Sequence, residues 1–141
     1  MLNKNSVIKF NANVKSPRRF VFVLMESFTL LSFSSALDAL RIANRMSGKT
    51  LYEWTFIGEN EEFVSCSAGT QFKLDNSLIE LHRDDTILLC GGTSIQEATT
   101  KKLIGWLRRE ARRGLTIGGP VSYTHLPSPR DRSLSRMPSS A

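Results

Sequence analysis

Cysteine is nearly missing from this chain. Only Cys66 and Cys90 occur in 141 residues. Two isolated thiols make neither a disulfide framework nor a metal site, which takes about four ligands, so both read as reduced. Long apolar runs are also lacking: none reaches the ~18–20 residues of a membrane span, and no membrane contact is expected. The opening MLNKNSVIKFNANVKSPRRF has no long apolar segment and no small-residue cleavage site, so no secretory signal is read there and a cytoplasmic location is expected. Histidine is limited to His82 and His125, too far apart in sequence to form a Cys–His constellation. No cofactor motif and no internal repeat is found. Proline is scarce where the fold must run on: four of the five prolines, Pro120, Pro127, Pro129 and Pro138, come after Gly119.

What is present is ordinary for one globular domain, with 40% hydrophobic residues and a formal net charge of +6. Arg130, Arg132 and Arg136 against Asp131 give residues 120–141 a net +2, which leaves +4 for residues 1–119. That excess is compatible with nucleic acid nearby and is equally an ordinary solubility charge.

Residues 1–17 are polar and read as a flexible amino-terminal arm. Phe20 to Met25 form a short continuous apolar run bounded by charge, the pattern of a strand buried on both faces. After the turn ESFT, the residues Leu30, Phe33, Leu37, Leu40 and Ala43 recur at spacings of three and four, one apolar helical stripe, with Gly48 as its stop. LYEWTFIG reads as a second strand. EFVSCS and QFKLD flank AGT as a hairpin, and NSLIELH as one or two helical turns. DDTILLCGG contains a buried strand, Thr86 to Cys90. TSIQEATTKKLIGWLRREARRG reads as a single helix, capped by Thr93 or Ser94, with Ile104, Leu107 and Ala111 on one face and Gly114 at its end. LTIGG begins a further strand. Strands alternating with helices predict an α/β fold: a doubly wound, mostly parallel sheet with helices on both faces.

In such a sheet ligands bind beyond the carboxyl ends of the strands, which points to MESF, to CGGTS and to the residues after LTIGG. The pair Gly91-Gly92 fits a plain tight turn, and alternatively an N–H cradle for an oxyanion or carboxylate. Glu26, at a strand end, is placed for acid–base work and equally for a solvated turn. Cys90 inside a buried strand reads as inert. Arg108, Arg109, Arg112 and Arg113 crowd a helix end where cations meet the negative pole of the dipole; a phosphate contact is the other reading.

The segments FVFVLMESFTLLSFSSALDALRIANRMSGKTLYEW, LLCGGTS and LIGWLRREARRGLTIGG resemble the amino-terminal half of the GlxA-type transcriptional regulators of the AraC family. The resemblance covers roughly residues 18–119. It implies a class I glutamine amidotransferase-like (flavodoxin-like) domain of the ThiJ/PfpI superfamily, here incomplete, that senses a ligand. It also implies a carboxy-terminal helix-turn-helix domain that binds DNA and is missing from this chain, and a homodimer in the full-length protein. Carried over by position, Glu26, Phe28, Gly91, Gly92 and Thr93 are the candidate ligand-binding residues. Enzymes of the superfamily place a cysteine on an elbow after the strand at LTIGG, where this chain has Val121, and an acid near the start of the first helix, where it has Ser32. Both departures imply a sensor rather than an enzyme. Similar regulators act in betaine, carnitine, choline or arginine breakdown, which implies a small amine or amino-acid-derived effector, with aromatic faces from Phe28, Tyr52 or Trp54 for a quaternary ammonium. The alternatives are a fragment of a cysteine-dependent hydrolase or hydratase of the superfamily, and a non-catalytic binding module.

The segment from Pro120 to Ala141 carries those four prolines and six serines without apolar periodicity, a disordered composition. PVSYTHL is encoded, in one reading frame, by a sequence resembling the mosaic-end adapter of transposase-based sequencing libraries. Residues 120–141 are therefore expected to be an adapter-derived artefact. A chain that stops there is expected to leave a sheet edge open and to be poorly soluble or partly folded.

Overall fold

A computed structural model describes residues 16–60, 62–93 and 95–119. The arm expected at residues 1–17 lies almost wholly outside them, as do Ser94, Val121, His125 and the entire 120–141 segment. The elements are β1 (Arg18–Leu24), α1 (Leu30–Ser47), β2 (Tyr52–Ile57), β3 (Phe63–Ser65), β4 (Gln71–Lys73), β5 (Thr86–Cys90), α2 (Ile95–Ala98), α3 (Lys101–Arg112) and β6 (Thr116–Gly118). The main sheet has the order β2-β1-β5-β6, and its three pairings are parallel. β3 and β4 form a separate antiparallel hairpin, as the sequence predicts.

The central strand shows why the fold takes this form. Successive side chains of a strand point to opposite faces. Val21, Val23 and Met25 enter one core with Ile87, Leu89, Leu103 and Trp106. Phe22 and Leu24 enter a second with Phe28, Phe33, Val64 and Leu74. An apolar residue is thus needed at every position of β1, and α3 covers one face while α1 and the hairpin cover the other. This is the doubly wound arrangement predicted from the alternating pattern.

Phe33 is the hub of the second core. Its ring meets Phe22, Phe28, Phe56 and Phe72 edge-on, at centroid distances of 5.2–5.6 Å. Leu30, Leu37 and Leu40 pack beside it. Gly48 closes α1 in the left-handed region, φ 67°, its N–H donating to the Arg45 carbonyl. One polar anchor escaped the sequence reading: the Asn44 side chain accepts from the Leu51 and Tyr52 amides and donates to the Tyr52 carbonyl, which ties the end of α1 to the start of β2.

Three expectations need correction. The helix read from Thr93 to Gly114 is two helices. Thr100 is extended, φ −102° and ψ 163°, and its hydroxyl oxygen accepts from the Leu103 amide as the true cap of α3. The β-branched Thr99-Thr100 pair, poor in a helix interior and good at a cap, sets the break. The buried face of α3 is Leu103, Trp106 and Glu110, with Leu107 partly buried, rather than Ile104, Leu107 and Ala111; Ala111 is exposed. Polar side chains hold that face in. The Trp106 indole N–H donates to the Ile79 carbonyl at 2.8 Å, and Glu110 accepts from Arg113 at 2.6 Å. Finally, NSLIELH forms no helix: it crosses the sheet as a loop, burying Leu81 beneath α3. No helix among the described residues is long and apolar enough to cross a membrane.

Candidate ligand site

The carboxyl ends of the strands are built around the loop that leaves β1. The Met25 amide donates to the Cys90 carbonyl and the Thr29 amide to the Gly91 carbonyl, each at 3.0 Å. On its other side, the Ser27 amide donates to Ser65 and the Phe28 carbonyl accepts from Ser67, each at 2.8 Å. The loop is pinned between β5 and the β3–β4 hairpin, and Ser27 takes a positive φ of 62° within it. A non-glycine residue held there is strained by roughly 1–3 kcal/mol and persists only where the surroundings fix it.

The sequence left two uses open for Gly91-Gly92. The structure shows a close backbone approach: a β-carbon on Gly92 would stand 2.3 Å from the Ser27 carbonyl oxygen. Both glycines are buried. The other candidates are not brought together. Thr93 is exposed, and Glu26 is exposed on the opposite side of the pinned loop. Phe28 is fully buried, its ring set between Phe33 and Phe72, so it offers no open face to an ammonium group. Tyr52 lies edge-on to Phe20, and Trp54 packs into the second core.

The cleft lies at the ends of β1 and β2. It has a volume of about 200 Å³, and Met25, Leu74 and Leu103 form apolar walls. Glu26, Glu59, Asn60 and Thr100 supply its polar groups. The Thr100 hydroxyl donates to the Glu59 carboxylate, while its oxygen takes the Leu103 amide at 3.2 Å. Glu59 was missed in the sequence, where GENE reads as a solvated turn. The available signal was its place just after a parallel strand.

Neither thiol is poised for chemistry. Cys66 and Cys90 are both buried, and desolvation pushes the Cys90 thiol up to about 12. Among the described residues, no group of three His, Cys, Asp or Glu side chains could hold a metal ion. At the opposite end of the sheet, Arg19 makes a two-pronged contact to the buried Asp85 at 2.9 and 2.6 Å. Arg113 is bound to Glu110, Glu80 and the Leu81 carbonyl, while Arg108, Arg109 and Arg112 are exposed.

The topology and the strand-end cleft define the α/β class of the DJ-1 and ThiJ/PfpI proteins. A DJ-1 superfamily protein from Agrobacterium tumefaciens shares the fold, with a TM-score of 0.53 and 23% identity over 72% of this chain and 52% of that one. Within that class the chain is similar to AraC-family regulators of the GlxA type. An AraC family transcriptional regulator from Pseudomonas putida aligns with a TM-score of 0.64 and 26% identity over 73% of this chain and 64% of that one. The HTH-type transcriptional regulator GbdR of Pseudomonas aeruginosa is 34% identical over 104 residues, 74% of this chain. The HTH-type transcriptional regulator GlxA of Rhizobium meliloti is 30% identical over 110 residues, 77% of this chain. The chain spans only 28% of the length of GbdR and 34% of that of GlxA. No family model matches the chain.

Proposed function

We propose that this chain is the ligand-sensing part of an AraC-type transcriptional regulator, and that its effector is a small amine or amino-acid-derived metabolite held in the cleft between β1 and β2. The observation that carries this reading is the cleft itself: apolar walls with a few convergent polar groups, beyond the carboxyl ends of parallel strands. The regulator names of its relatives support the biological half. In the longer protein, operator DNA contact is assigned to the portion of the HTH-type relatives that this chain does not span, with a homodimer and a cytoplasmic location as parts of the same proposal. Two buried thiols, one held strongly protonated, speak against the cysteine-dependent hydrolase alternative.

The test is thermal unfolding of the chain with a panel of small amines and amino-acid derivatives. A ligand of the folded state raises stability by about 2.7 kcal/mol at a hundredfold excess over Kd. At least one member is expected to raise the unfolding midpoint saturably, and Ala98→Trp, which fills the cleft, is expected to abolish that rise. A panel without effect, or one whose effect survives Ala98→Trp, rejects the site.

A further inference from the structure

Glu59 occupies an unusual position for a turn glutamate. β1 and β2 pair in parallel with Val23 opposite Ile57 as the last rung, so Met25 and Glu59 stand level two residues further on. Adjacent strands are about 4.8 Å apart, which brings the β1 exit and Glu59 to the same small cleft. Glu26 and Glu59 both border it, and none of its lining residues is Lys, Arg or His. The space therefore carries two carboxylates and no protein cation. An anionic ligand is repelled there. A neutral one leaves the charges unmatched.

We infer that the cleft is a site for a small organic cation, with Glu59 as its counter-ion and Thr100 as the residue that positions Glu59. The inference rests on the reading of the cleft as a ligand site and adds to it the charge of the ligand and the residue that selects it. Three features carry it. The volume of about 200 Å³ suits a methylated ammonium or a short amine. The walls formed by Met25, Leu74 and Leu103 favour the weakly hydrated, apolar skin of such a cation. Lastly, Glu59 is held rather than free: the single Thr100 hydroxyl donates to it while accepting the Leu103 amide. Thr100 is thereby fixed by the start of α3, and one carboxylate edge of Glu59 is fixed by Thr100. A preorganised acceptor loses less rotamer freedom when its partner arrives.

The experiment compares tetramethylammonium chloride with tert-butanol, a neutral molecule of similar shape, at matched ionic strength set with sodium chloride. Binding is followed by NMR at the Met25 methyl group and the Leu103 amide. Tetramethylammonium is expected to bind at least about tenfold more tightly than tert-butanol, the scale of one charge-assisted contact. Glu59→Gln keeps an acceptor for Thr100, so it is expected to leave the unfolding midpoint in place and erase the preference for charge. Thr100→Val is expected to weaken cation binding, and Thr100→Ser to restore it. Glu26→Gln, at an exposed site, is expected to reduce the preference in smaller part, and it serves if Glu59→Gln does not fold. Equal binding of the two probes, or a charge preference that survives Glu59→Gln, overturns the counter-ion assignment while leaving the cleft a ligand site. Entry of neither probe overturns both.

Discussion

The carbonyl oxygen of Ser27 sits 2.3 Å from the point where a β-carbon on Gly92 would be. Two strand ends are thus joined at closer than side-chain distance, and the neighbouring atom belongs to a backbone that cannot rotate away. Gly92→Ala is expected to destabilise the chain by about 2–4 kcal/mol, because the β1 exit loop must move as a unit. Gly105→Ala is the control. Its site in α3 has nothing within 4 Å, and it is expected to stabilise by about 0.5–1 kcal/mol through helix propensity. Urea unfolding midpoints of the two variants should shift in opposite directions; a shared sign defeats this account.

Phe33 touches four other aromatic rings. Phe33→Ala is expected to cost about 3–5 kcal/mol, with Phe33→Leu losing less than half of that. Alanine at Phe63, which is 49% exposed, should change stability by less than about 1 kcal/mol. Thermal denaturation of the three variants decides the ranking.

Glu110 is 3% exposed, and Arg113 supplies its charge partner at 2.6 Å. Removing the cation alone strands a buried carboxylate. Arg113→Met is expected to destabilise by about 2–3 kcal/mol, at the low side for a broken buried pair because Arg113 itself keeps 30% exposure. Adding Glu110→Met should recover most of that loss. A double variant no better than the single one would show that the Arg113 bond to the Leu81 carbonyl is the dominant contact.

The thiol of Cys90 should resist iodoacetamide in the native chain at about pH 8 and react once the chain is unfolded. Its folded value lies near 12 against an ordinary 9.0. The folded state therefore keeps a proton that the unfolded state releases between those values. The stability it contributes is complete below about pH 9 and is lost as pH rises towards 12. Cys90→Ala should flatten that part of the curve of unfolding midpoint against pH, and rapid native labelling of Cys90 would contradict its burial.

Much of the fold was written in local pattern. The run from Phe20 to Met25 announced a strand covered on both sides, and spacing by three and four from Leu30 to Leu40, closed by Gly48, announced α1. The split between α2 and α3 was hidden because Thr99-Thr100 reads as a tolerable helix interior until Thr100 is seen to cap α3. The true face of α3 was hidden because it contains Glu110, which no hydropathy rule puts inside; only the arginine three residues on makes its burial tolerable. Of the site, Glu26 was legible from its strand end. Glu59 was not, since its role depends on β1 and β2 standing side by side.

The order β2-β1-β5-β6 also bears on how the chain emerges from the ribosome. β1 is made first, yet one of its two neighbours in the sheet is β5, and the contact between Arg19 and Asp85 spans 66 positions. At 5–20 residues per second, that interval is roughly 3–13 s of synthesis. Through those seconds one edge of the most apolar strand in the protein has no partner, and the nascent chain is at its most dependent on the factors that shield it.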